Sequence, residues 1–210
     1  MTSVRDTSRA IRRIPEIIKW AFAPEGRPSP APYKRAVIRR YAKIFRTPIL
    51  VQTGTLLGRP VMSELGSFRR IVSIEINSAL APQARPRSHE FDHEVIQQGD
   101  IASELSQVLP SLSAPTLFWL GGHSSGECAV WRSDPSSTIL TEVETILSAP
   151  LASIVLIDDA RHFVGRAGYP TLERLFQTVA SLRPSATVSL SRDIVRIEAM
   201  QSWDVSSTTM

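Results

Sequence analysis

Residues 49–58 read Ile49-Leu50-Val51-Gln52-Thr53-Gly54-Thr55-Leu56-Leu57-Gly58, an apolar run of strand length that ends in a glycine turn and passes into a helical pattern. Gly54 permits close backbone approach to a ligand, and Gly58 lies where the next helix opens. About 20 residues on, a second run, Arg70–Glu75, ends in a carboxylate. That is where nucleotide-binding sheets hydrogen-bond a ribose diol. Taken separately, the glycine pair fits any strand-to-helix turn and Glu75 fits a solvated strand end; the spacing between them is what points to a nucleotide. A third strand end, Gln97-Gln98-Gly99-Asp100, adds an acid that either receives an adenine amino group or caps the next helix.

Outward from this core, short apolar runs alternate with helical periodicity, the pattern of β-α units around a parallel sheet. The reading gives strands at Ile49–Gln52, Arg70–Glu75, His93–Gln97, Thr116–Leu120, Ser153–Asp158, Thr187–Leu190 and Ile194–Glu198. Helices are expected at Arg59–Glu64, Ser78–Arg85, Ile101–Leu109, Thr138–Ser148 and Thr171–Leu182. Arg192-Asp193 between the last two runs predicts a tight hairpin, so the sheet should close with an antiparallel pair. The fold class is therefore α/β, a Rossmann-like doubly wound seven-stranded sheet with helices on both faces and a helical N-terminal extension. In that extension Ile11, Ile14, Ile18 and Phe22 form one apolar stripe over Ser8–Phe22, which should bury. Pro24, Pro28, Pro30 and Pro32 read as a non-helical linker, followed by a basic helix at Tyr33–Phe45. The expected organisation is an N-terminal helix and linker (1–32), the α/β domain (33–198) and a tail (199–210).

The 24 Lys and Arg against 20 Asp and Glu conceal an asymmetry. Residues 1–47 carry a net +9 and the remainder a net −5. The basic segment is either a solvated helix face or a peripheral contact with an anionic membrane. No aromatic or glycine pattern of a nucleic-acid reader accompanies it, so nucleic acid is not an expected partner. A single cysteine, Cys128, excludes an internal disulfide framework and points to a reducing, cytoplasmic setting. No apolar run reaches membrane-spanning length, and Pro15, Glu16 and Lys19 interrupt what would be the apolar centre of a secretory signal.

Asp158-Asp159 ends a buried strand. Two adjacent carboxylates need cations, hydrogen bonds or a metal; they are either a site, which with His123 would make an incomplete Mg²⁺ set, or a helix cap beside an Asp paired with Arg161. His123, in the loop Gly121-Gly122-His123-Ser124-Ser125-Gly126, is either a general base or a histidine bonded to backbone. Trp119 reads as core, and Cys128 as inert.

Gln52-Thr53-Gly54-Thr55-x-x-Gly58, Ser73-Ile74-Glu75, Gln98-Gly99-Asp100, Phe118-Trp119-Leu120-Gly121-Gly122-His123 and Leu156-Ile157-Asp158-Asp159-Ala160-Arg161 together resemble the class I S-adenosylmethionine-dependent methyltransferase superfamily. More narrowly they resemble a largely uncharacterised bacterial group within it. The resemblance covers about Tyr33–Glu198. It implies the strand order 3-2-1-4-5-7-6 with strand 7 antiparallel, and S-adenosylmethionine held by Gln52, Thr53, Gly54, Thr55, Glu75, Gly99 and Asp100. His123 and Asp158 are the expected catalytic residues, and Asp158 and Asp159, which match a pair found in metal-assisted O-methyltransferases, the expected metal ligands. Relatives usually have Glu in place of Gln52 and Asp in place of Gly121. The expected function is O-methylation of a small-molecule or glycan hydroxyl, by a monomer or homodimer; the alternative is a cofactor-binding or scaffold protein without turnover. A nicotinamide-dependent oxidoreductase is disfavoured because the first turn lacks Gly-x-Gly-x-x-Gly.

Overall fold

In a computed structural model the described residues are 20, 22, 27–53, 68–75, 92–97, 101–121, 135–166 and 169–200. The sheet has seven strands: β1 (Ile49–Thr53), β2 (Arg70–Glu75), β3 (Asp92–Gln97), β4 (Thr116–Leu120), β5 (Ser153–Ile157), β6 (Thr187–Ser191) and β7 (Ile194–Ala199). Their order is β3-β2-β1-β4-β5-β7-β6. The first five pair in parallel, and β7 is antiparallel to both β5 and β6. The order is the one the family resemblance implies, and the antiparallel closing pair is the one the Arg192-Asp193 turn predicts. β1, β4 and β5 are buried along their whole length, which is why they read as continuous apolar runs and not as alternating ones.

Among the described residues four helices cover the two faces: α1 (Ala31–Phe45), α2 (Ile101–Val108), α3 (Pro135–Ser148) and α4 (Leu172–Leu182). On one face α1 buries Val37, Ile38 and Ala42 against Leu50, Leu117, Ile154 and Leu156. On the other, Leu105, Ile139, Val143, Leu175 and Val179 of α2–α4 meet Val51, Phe118 and Val155. The basic helix is thus part of the core: one stripe is apolar, and each fully buried Leu or Ile on it contributes about 1.5–3 kcal/mol.

Local chemistry sets the boundaries. α1 begins at Ala31, before Tyr33, because Pro32 occupies the first turn, where a missing N–H costs nothing. Arg46 ends the helix in the left-handed conformation. Thr171 caps α4, its hydroxyl accepting from Arg174 N at 3.1 Å. α3 starts at Pro135, three residues before the expected Thr138, again with proline in the opening turn. The β6–β7 hairpin turns on Arg192 (φ 52°) and Asp193 (φ 66°), and Ser191 pairs Ile194 across it. Positive φ at both central residues is the type I′ signature that matches the twist of the strands.

One expectation fails at the N-terminus. Phe22 is 88% exposed and does not bury with the proposed stripe. Trp20, outside that stripe, packs instead on Tyr33 (centroids 4.6 Å apart) and beneath Arg192 (5.4 Å). Ile11, Ile14 and Ile18, the helices expected at Arg59–Glu64 and Ser78–Arg85, and the tail beyond residue 200 lie outside the described residues.

Candidate functional site

The carboxyl ends of the three central strands meet in one line. Beyond the ladder, Gly121 N donates to Thr53 O at 3.3 Å and Asp158 N to Leu120 O at 2.9 Å. Thr53, Gly121 and Asp158 are therefore neighbours at the point where the strand order reverses between β1 and β4, the place where open α/β sheets bind ligands. Glu75 ends β2 one position beyond Ile74, the partner of Thr53.

β5 stops at Ile157, one residue short of the expected Asp158, because the chain then turns through Asp159 in the left-handed region (φ 59°). Aspartate tolerates that conformation better than most residues. The turn sets Asp158, Asp159 and the hairpin's Asp193 together, one oxygen from each lying within 4.8 Å of the others. Lys34, from the first turn of α1, pairs with Asp158 Oδ2 and lies 3.9 Å from Asp159. Asp158 Oδ1 accepts from Asp159 N at 2.9 Å. Arg161 donates from Nη1 to Asp159 Oδ1 (2.8 Å) and to Asp193 Oδ2, and from its backbone N to Asp193 Oδ1 (2.8 Å). Burial, followed by the Asp159 carboxylate beside it, pushes the Asp158 carboxyl up to about 6, against the pull of Lys34. Burial and then Asp159 push the Tyr169 hydroxyl up to about 12, with Arg161 opposing; among the described residues that hydroxyl has no hydrogen-bond partner, and its ring stacks on His162.

The three carboxylates are within reach of a single ion, yet five of their six oxygens already accept from Lys34, Arg161 or backbone N–H groups. Two side-chain cations meet the charge that Mg²⁺ would meet, and an ion would first have to displace Lys34 from Asp158. As arranged, this donor set does not fit a resident Mg²⁺, and Asp159 has the Arg161 partner that one sequence reading gave it.

The other expected site residues divide. The Gln52 side chain turns to the α1 face and donates Nε2–H to Ser73 Oγ at 2.6 Å, and it is almost fully buried. The Thr53 hydroxyl turns to the opposite face and meets Glu142 Oε2 of α3 at 3.1 Å. These side chains are held within the sheet's two layers. Glu75 is in the expected place on β2. Gly54, Thr55, Gly99, Asp100 and His123 lie outside the described residues. Lys34, Asp193 and Tyr169 escaped sequence reasoning. A lysine in a basic helix and an aspartate in a hairpin turn carry no local mark of tertiary partners.

Glu75 at the end of β2 and Thr53 at the end of β1 stand at the edge of the sheet where open α/β folds hold a nucleoside. Neither a family model nor a curated protein sequence matches the chain. Solved structures do. An O-methyltransferase from Bacillus cereus in complex with SAH superposes with a TM-score of 0.56 at 13% identity, covering 91% of this chain and 90% of that one. The methyltransferase domain of bacterial CtHen1-CN gives 0.53 at 9% identity, with 80% and 97% covered. A proposed caffeoyl-CoA O-methyltransferase from Staphylococcus aureus gives 0.51 at 12%, with 94% and 93% covered. At such identities the likeness is one of architecture, and the chain has the Rossmann-like fold of the S-adenosylmethionine-dependent methyltransferases.

Proposed function

We propose that the protein is an S-adenosylmethionine-dependent methyltransferase acting on a hydroxyl of a small molecule or glycan. The observation that carries this reading is the alignment of Thr53, Gly121 and Asp158 at adjacent strand ends, in a chain whose fold superposes on that of the SAH-bound neighbour. When bound, the cofactor supplies an electrophilic methyl on a sulfonium, and its transfer leaves a neutral thioether. Asp158 is the general base: with its carboxyl near 6 it is mostly ionised at neutral pH, yet basic enough to take the acceptor's proton as the new C–O bond forms. Lys34 balances the carboxylate's charge and fixes its direction. Glu75 holds the ribose, and the backbone at Thr53 borders the cofactor. Much of the acceleration then comes from holding oxygen and methyl in line in a dry cleft.

A second reading is a cofactor-binding protein without turnover. It is favoured by Gln52, an amide engaged with Ser73 where relatives of the resembled family carry a carboxylate. Calorimetry with S-adenosylhomocysteine up to millimolar concentration, followed by labelled-methyl transfer to a panel of phenols, sugars and amines, separates the two. Binding with an O-methylated product supports the first reading, and binding with no product supports the second. Absence of binding removes both.

A further inference from the structure

Between α1 and the β6–β7 ribbon lies a groove of about 390 Å³, lined by Tyr33, Arg40, Tyr41, Ser189, Ser191 and Arg196 among others. Its volume is in the range of small-molecule sites, about 300–1,000 Å³. Arg196 is the unusual member. It is 6% exposed, and its guanidinium donates to the carbonyls of Ser191 (2.8 Å) and Ile194 (3.0 Å) and to the Tyr33 hydroxyl (3.4 Å). No carboxylate stands within ion-pair distance of it among the described residues. A buried guanidinium whose partners are all neutral lacks a counter-ion, and burying an uncompensated charge is costly. Arg40 adds a second cation, exposed and likewise without an acidic partner among the described residues. The acid that approaches this region, Glu198, accepts the Tyr41 hydroxyl and is not part of the lining.

We infer that this groove binds a small molecule carrying a phosphate monoester on an aromatic or apolar body. Two guanidiniums and two serine hydroxyls supply donors from several sides, which suits a tetrahedral oxyanion. The Tyr33 and Tyr41 rings and the side chains of Ala36 and Val37 supply a wall for the body. A recess with a cation in its floor suits a discrete ligand better than a flat membrane surface does. The lining shares no residue with the strand ends assigned to methyl transfer, so it stands or falls by a binding experiment that contains no cofactor.

The full chain would be titrated with phenyl phosphate by calorimetry and by chemical-shift mapping, with phenol, inorganic phosphate and vesicles containing anionic lipid as parallel arms. The expected result is saturable binding of phenyl phosphate, weaker binding of inorganic phosphate and none of phenol, with shifts at Ser189 and Ser191. Arg40→Gln, an exposed change that leaves the fold intact, should weaken phenyl phosphate by about tenfold or more, and Ser189→Ala by a few-fold. Lack of saturable phenyl phosphate binding, affinity unchanged in Arg40→Gln, equal binding of phenol, or binding to vesicles alone would each overturn the inference.

Discussion

A Cβ added at Gly121 would stand 2.9 Å from Nε1 of Trp119 and 3.7 Å from Cβ of Asp158. The indole is packed at 7% exposure and cannot swing away cheaply. Gly121→Ala should therefore destabilise by about 1–3 kcal/mol, the usual cost of overpacking, and a denaturant midpoint shift with unchanged m would show it. The aspartate that relatives of the resembled family carry here would need a different neighbour at 119. Asp158 makes the complementary electrostatic prediction. Its folded pKa, about 6, lies above the unfolded value, so the native state binds the extra proton between about pH 4 and 6. Stability should fall as pH rises through that window and level off above it, by about 3 kcal/mol in all for a shift of about two units. Asp158→Asn should abolish that slope. Urea unfolding of both proteins at pH 4 and pH 7 measures it, and an unchanged slope would assign the titration to another group.

At the scale of elements, the β6–β7 hairpin does more than close the sheet. Its turn residue Asp193 receives Arg161 twice, and its carbonyl receives Ala160 N at 3.0 Å. The hairpin thereby braces the segment that carries Asp158 and Asp159. Asp193→Asn preserves a residue that tolerates positive φ while removing the charge, so the turn should survive. Loss of charge-assisted bonds in a nearly fully buried side chain should cost about 1.5–3 kcal/mol. If Asp158 is the base, methyl transfer should fall as well, with cofactor affinity kept. A variant as stable as the parent would show that the turn, and not the ion pair, positions the segment. α1 has a similar double role: its apolar stripe seals one face of the sheet, while Lys34 reaches Asp158 and Arg40 reaches the groove.

For the molecule as a whole, the excess positive charge of residues 1–47 is partly spent inside the fold, since Lys34 meets the acidic cluster left by the negative remainder. Among the described residues no helix is long and apolar enough to cross a membrane. A ligand that binds only the native state raises its stability, by about 2.7 kcal/mol at a hundredfold excess over Kd. S-adenosylhomocysteine should accordingly raise the melting temperature. Because Lys34 and Arg161 already meet the carboxylates, excess EDTA should leave that temperature and the methyl transfer unchanged, and added Mg²⁺ should not raise either. A Mg²⁺-dependent gain in both would mean that the ion displaces Lys34.

The sequence by itself determined the sheet. Runs such as Ile49–Val51 and Ile154–Ile157 are apolar at every position because parallel strands are covered on both faces, and that signal survives without any knowledge of partners. It likewise determined the hairpin, since Arg192-Asp193 leaves only two residues in which to reverse the chain. Asp158 and Asp159 were legible as candidates because carboxylates at a buried strand end demand an explanation. Tertiary structure alone decided what answers that demand. Lys34 is 124 residues from Asp158, and Asp193 is 32 from Arg161; their meeting follows from where α1 docks and where β7 pairs, not from local spacing. The direction of Gln52 and Thr53 was hidden for the same reason, because successive side chains on a strand alternate faces and only the packed helices show which partner each face offers.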